Sequence, residues 1–254
     1  MRNSSVLSKT LSLGIVGFFF LIFQACVHAP PVRKKACRAP AVYKEALSGL
    51  SSAYHSLSGT VKVRVETDKD KFSFTGDLYA RAPDKLHFDI FGFLHRPRFI
   101  LIKRGGTIAW KDFESGRTYT GPIEACPGFP ARFPFSPLFL KDLMRILFLD
   151  FPGPLALRIP EEPKGPCRFL MTCRWGRFDV TIDPGVGLPV RIEGPKGGKT
   201  PFTLTFGDYG EISGLVVPRR YGITVGDVEM TFDFKTLQVN PAIPPEVFVP
   251  DLSR

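Results

Sequence analysis

Few residues of this 254-residue chain stand where side-chain chemistry would need them. The histidines are His28, His55, His87 and His95, and no two have the HxxxH spacing that turns both rings to one helix face around a metal. No serine sits in a GxSxG elbow. The segment Gly194-Pro195-Lys196-Gly197-Gly198-Lys199-Thr200 has the ending of a phosphate loop, but Glu193 stands where its first glycine belongs. Pro201 and the strand-like Phe202 to Phe206 then replace the helix whose amides would hold phosphate, so the segment reads as a cationic hairpin turn. Glu161 and Glu162 lie among prolines and read as solvated charge; Trp110 and Trp175 read as packing residues. The pattern points away from an enzyme and calls for no cofactor and no metal.

Cysteine carries the remaining chemistry. Met1 to Thr10 is polar with two cations, Arg2 and Lys9, and no acid, and Leu11 to Phe23 is an apolar run. That run has the roughly 7–15 residue length of a secretory signal core and is short of the roughly 20 residues that span a bilayer. Gln24-Ala25-Cys26 closes it with a small residue before a cysteine. This resembles the lipobox of bacterial lipoprotein precursors, with Phe23 where leucine is usual. The resemblance implies cleavage before Cys26 and acylation of that cysteine.

Four further cysteines, Cys37, Cys126, Cys167 and Cys173, permit two disulfides in an oxidising compartment, with three connectivities open. Cys167 and Cys173 on one extended strand would lie about 20 Å apart, so they could pair only across a turn. The net charge of +10 falls to +8 without Arg2 and Lys9, a balance that favours anionic surfaces such as phospholipid headgroups. The cations are spread among acids instead of clustered, which argues against nucleic acid.

The elements that would position a site follow from periodicity. Residues 1–25 read as the signal peptide. Residues 26–40 read as a tether, with Pro30, Pro31, Arg33, Lys34, Lys35 and Arg38 and no acid. Residues 41–254 read as one domain. Ala41 to Leu57 repeats apolar residues at helical steps, and Ser58-Gly59 is expected to end that helix. Val61, Val63 and Val65 then alternate with charged residues, and similar short runs continue to Thr120 between Gly, Asp and Pro turns. A Pro-rich link leads to a second helix over Leu138 to Leu149. Further strands are expected near 155–159, 167–174, 178–182, 188–193, 202–206, 215–223 and 227–238. The fold class is mainly β: an unclosed antiparallel half-barrel of about 10–12 strands, with an N-terminal helix and a central helix covering its open face.

This order is similar to the LolA/LolB-like superfamily, and to its membrane-anchored receptors more than its soluble carriers. The residues behind the resemblance are Leu57-Ser58-Gly59, Ala82-Pro83-Asp84-Lys85-Leu86, Phe91-Gly92-Phe93-Leu94, Gly187-Leu188-Pro189 with Arg191, Val217-Pro218-Arg219-Arg220, and Val239-Asn240-Pro241 with Ile243-Pro244 and Phe248. It implies a carrier or receptor for acyl chains of lipoproteins or other lipids, anchored at the periplasmic face of the outer membrane and working with a periplasmic carrier protein. Val27 after the acylated cysteine is compatible with that sorting. The resemblance also implies a membrane-inserting loop at Phe93 and Leu94, with Arg96 and Arg98 near headgroups. The competing expectation is that both side chains plug the sheet.

Alternation and the helix stripe select Phe72, Phe74, Phe88, Ile90, Phe99, Leu101, Leu140, Leu143, Met144 and Leu147 as the lining of an apolar cavity. A one-residue slip would turn every strand member of that set outward. The alternative is a scaffolding outer-membrane lipoprotein whose half-barrel is filled by its own side chains and binds a protein partner. A cavity of several hundred cubic ångströms under the central helix would favour the carrier, and a filled interior the scaffold.

Overall fold

The computed structural model describes residues 36–129, 139–151, 155–159, 167–174, 176–194, 202–249 and 252. Cys26, His28, Trp175 and the cationic turn after Gly194 lie outside these residues. Helix α1, Pro40–Ala53, starts on a proline, where the missing N–H has no partner to lose. It buries Tyr43, Leu47 and Leu50, and Tyr43 packs its ring on Phe169 with centroids 5.3 Å apart. The helix ends four residues earlier than its apolar period suggests. Tyr54 N–H bonds the Leu50 carbonyl at 2.8 Å. Asn240 then clamps the end, donating to the Ala53 carbonyl at 2.7 Å and accepting from His55 N–H at 3.0 Å. Leu57 therefore belongs to the first strand.

That strand, β1 (Ser56–Glu66), pairs with β2 (Lys71–Arg81), and the chain meanders through β3 (Lys85–Phe91), β4 (Pro97–Arg104), β5 (Thr107–Asp112) and β6 (Thr118–Pro122). After helix α2 (Phe139–Leu147) come β7 (Ala156–Arg158), β8 (Arg168–Cys173), β9 (Gly176–Ile182), β10 (Pro189–Gly194) and β11 (Phe202–Gly207). The last strands are β12 (Gly210–Ile212), β13 (Leu215–Val217), β14 (Arg220–Val225), β15 (Val228–Phe234) and β16 (Gln238–Val239). The main sheet runs β6-β5-β4-β3-β2-β1-β15-β14-β11-β10-β9-β8-β7, with β16 also on β1. Its ends, β6 and β7, do not pair with each other, so the half-barrel stays open.

Sixteen described strands exceed the expected 10–12, and the surplus is short: β7, β12, β13 and β16 have two or three residues each. Two expected strands are each divided. Residues 215–223 split at Pro218-Arg219, where proline offers no ladder N–H, and β13 pairs with β12 in a separate two-stranded sheet. Residues 227–238 split where the N–H groups of Lys235 and Thr236 turn onto the Thr60 carbonyl. Gly59 permits that approach, because a Cβ there would collide with the Thr236 carbonyl oxygen. Ser58-Gly59 is thus part of a strand, not a helix stop.

One disulfide forms where two were possible. Cys37 is bridged to Cys167 with Cα atoms 5.3 Å apart, and this is the one disulfide among the described residues. The bridge joins the segment leading into α1 to the start of β8, across 130 residues of sequence.

Candidate functional site

The register of the meander settles which side chains share a face. Gly59, Leu78, Phe88, Leu101, Trp110 and Tyr119 form one lateral row across β1 to β6. A parallel row holds Val61, Gly76, Ile90 and Phe99. Phe74 stands opposite Val63, and Phe72 opposite Val65. All six strand candidates therefore lie on the inner face. Phe88, Ile90, Phe99 and Leu101 are at most 2% exposed, whereas Phe72 and Phe74, nearer the rim, are half-buried. Gly76 lets β3 approach, since a Cβ there would meet the Asp89 carbonyl and the Phe88 ring.

Helix α2 contributes a second apolar stripe to the core. Leu140, Leu143, Met144 and Leu147 recur at three- and four-residue steps and are also at most 2% exposed. They join the strand candidates in one apolar cluster. Asp142 is exposed and Arg145 half-buried, so the helix keeps its polar side outward. Eight of the ten candidates belong to the apolar core, and Phe72 and Phe74 pack against it. The eight deepest are at most 2% exposed in this arrangement.

Two buried phenols beneath α2 escaped the sequence reading. Tyr221 of β14 donates its hydroxyl to the Leu147 carbonyl at 3.2 Å. Tyr54, just past α1, packs edge-on against Phe148 with centroids 5.0 Å apart. Burial pushes both hydroxyls well above the usual phenol range. The two hydroxyls are close enough to influence each other's ionisation. Aromatic residues in helical or strand pattern read as packing, and nothing local distinguishes these two.

The loop between β3 and β4 is the opposite case. Phe93 is 87% exposed and Leu94 72%, so neither plugs the sheet. Gly92 N–H bonds the Arg96 carbonyl at 2.8 Å across the loop, and Phe91 stacks on His95 with centroids 3.9 Å apart. Leu94 and His95 both adopt left-handed backbone, φ 56° and 59°, uncommon for residues with a Cβ. Arg96 is exposed beside this tip, and Arg98 reaches Glu114 at 3.0 Å.

The outer face of the same strands is only partly covered. The run Phe99-Ile100-Leu101-Ile102 is apolar on both parities, a sign of burial on both sides. The C-terminal segment supplies the outer cover. His87 bonds the Val247 carbonyl at 2.5 Å and Asp89 at 2.8 Å, and Lys111 donates to the Leu252 carbonyl at 2.8 Å. Between segment and sheet runs a groove of about 580 Å³, lined by Phe91, Ile100, Ile102, Phe113, Val247 and Val249 among others. His87 is thus a bridge from sheet to C-terminal segment. Among the described residues no three metal-binding side chains cluster, and no helix is long and apolar enough to cross a membrane.

Neither a family model nor a curated protein sequence matches the chain. Solved structures do. A DUF1329 family protein from Desulfovibrio piger superposes with a TM-score of 0.58 at 13% identity, over 84% of this chain and 98% of that one. A domain assigned to outer membrane lipoprotein sorting, from Vibrio parahaemolyticus, gives 0.55 at 13% identity, over 81% and 95%. A LolA superfamily protein from Nitrosomonas europaea gives 0.55 at 10% identity, over 85% and 99%. At such identities the likeness is one of backbone architecture: this chain has the LolA-type half-barrel fold.

Proposed function

We propose that this chain is a lipid-anchored protein that binds acyl chains of lipoproteins or lipids on the inner face of its half-barrel. It would act in lipoprotein or lipid localisation at the periplasmic face of the outer membrane. The observation that carries this reading is that six apolar side chains on one sheet face and four on a short amphipathic helix share one apolar cluster. Each methylene transferred from water to that face would contribute about 0.8 kcal/mol, with no bond made or broken. Acylation of Cys26 would hold the domain near the bilayer through the basic tether. Phe93 and Leu94 would enter the headgroup region, with Arg96 beside phosphate and a periplasmic carrier delivering cargo. The solved relatives support the reading through the sorting role assigned to one of them.

A second reading, a scaffolding lipoprotein that binds a protein partner, is favoured by one observation: eight of the ten inner candidates are at most 2% exposed. The carrier reading requires these side chains to become accessible, and the scaffold reading does not. Mass spectrometry of lipids co-purifying with the protein, followed by uptake of a palmitoylated peptide, separates them. Bound lipid or saturable uptake is expected for the carrier. Absence of both would leave the scaffold.

A further inference from the structure

We propose that the outer groove beneath the C-terminal segment, together with a hollow at the β3–β4 loop, is a second ligand site that takes an anionic lysophospholipid. The site lies on the opposite face of the sheet from the inner candidates and stands whatever that inner face binds.

The outer face changes character along the sheet. On β9 the positions between the buried Phe178, Val180 and Ile182 are Asp179 and Thr181, and on β11 Thr203 and Thr205 flank the buried Leu204. Polar residues of this kind are what a solvated face requires. On β4 the outward positions are Ile100 and Ile102, opposite Asp89 and His87 of β3. The C-terminal segment covers part of this apolar stretch. Its anchor is Phe248, which is 1% exposed beneath the Arg81 guanidinium at 5.8 Å, and His87 donates to the Val247 carbonyl. The cover is incomplete. Val249 is 48% exposed, Phe91 and Phe113 are half-buried, and the groove of about 580 Å³ lies among them. That volume falls within the roughly 300–1,000 Å³ of small-molecule sites.

The groove continues toward the loop. Pro97 and Phe113 line it and also line a shallower hollow of about 320 Å³, whose other walls include Phe93, Arg96, Arg98 and Glu114. The two hollows differ in charge. The polar lining of the groove includes Asp89 and Glu246, and Asp89 is bonded to His87 at 2.8 Å. Two carboxylates there disfavour an anion. The loop hollow has two guanidiniums against one carboxylate, with Arg98 on Glu114 at 3.0 Å and Arg96 exposed. This polarity orients the ligand: an alkyl chain along Phe91, Ile100, Phe113 and Val249, and a phosphate beside Arg96. The groove offers walls to one chain, and a diacyl lipid would leave its second chain in water. Because Phe93 lines the mouth, a chain leaving a bilayer at that loop would meet the groove directly.

The test is photolabelling of the purified full chain with a lysophosphatidylglycerol whose palmitoyl chain carries a diazirine, used below its micelle threshold. Labelled residues are located by tandem mass spectrometry, with the unmodified lipid as competitor. Label on Phe113 and residues 247–249 that the competitor displaces is expected. Val249→Asp, at a half-exposed position, is expected to reduce it roughly tenfold by setting a charge against the alkyl chain. Arg96→Glu is expected to weaken it about threefold, the scale of one exposed ion pair. Label confined to inner-face residues such as Phe88 and Leu143 would overturn the outer site and leave the acyl-chain reading standing. Outer label that persists in Val249→Asp, or that the competitor does not displace, would also overturn it. Labelling unchanged in Arg96→Glu would overturn the placement of the head. Absence of displaceable label anywhere would count against the outer site and the acyl-chain reading together.

Discussion

The inner face and the β3–β4 loop use the same kinds of residue in opposite ways. Phe88 is 2% exposed, and Phe93, five residues on, is 87% exposed. Phe88 occupies a strand position whose neighbours on both sides, Leu78 and Leu101, are also apolar and buried. Phe93 is carried on a short loop with left-handed residues after it, held away from any such neighbour. Folding explains the first and gains nothing evident from the second. An exposed apolar tip beside arginines is therefore where a function outside the fold itself is best sought.

The largest effect that sharpens this contrast comes from Phe88→Ala. Removing a ring from a packed row is expected to destabilise by about 3–5 kcal/mol, read as a shift in the urea midpoint. A change under about 1 kcal/mol would show that the interior is loosely filled, against the packing seen here. Next is the bridge that ties the start of α1 to β8. Cys37→Ser opens a loop spanning 130 residues and is expected to cost about 2–5 kcal/mol, measured by thermal unfolding without reductant.

The loop should respond in the reverse sense. Phe93→Ser with Leu94→Ser is expected to change stability by less than about 0.5 kcal/mol. The same pair should weaken binding to vesicles of phosphatidylglycerol and phosphatidylethanolamine by at least about tenfold, given about 1.5–3 kcal/mol for each fully buried side chain. Vesicle binding that survives the double change would remove the loop from any membrane role. A smaller effect comes from outside both regions. Lys235 at 2.9 Å, helped by Arg220 and Arg64, holds the Asp233 carboxyl below the usual carboxylate range. A depressed folded value means the stabilisation is present above the unfolded value of about 4 and is lost as pH falls through the folded one. Asp233→Asn should therefore lower the urea midpoint at pH 7, with the gap closing as pH drops below about 4.

Much of the inner face was legible because it is written in a local period. Phe72, Phe74, Phe88, Ile90, Phe99 and Leu101 were selected by alternation alone, and the register places all six on one face. Leu140, Leu143, Met144 and Leu147 followed from helical spacing in the same way. Where period and tertiary pairing disagree, pairing wins. Leu57 continues the apolar stripe of α1, but it is taken by β1, where it faces Ala80 and Val239. The very short strands carry too few residues for a period to register. Tyr54 and Tyr221 were invisible for another reason: they are 167 positions apart, and only folding puts their hydroxyls beside one another.

The sequence by itself determined the mainly β class, the meander, the two helices and the set of apolar residues that face inward. These depend on spacings of two to four residues, which backbone geometry converts directly into faces. Only the tertiary structure decided that Cys37 meets Cys167, that Phe93 and Leu94 point away from the core, and that α2 ends over a pair of buried hydroxyls. Each of those depends on contacts between segments far apart in the chain, whose energies no local pattern contains.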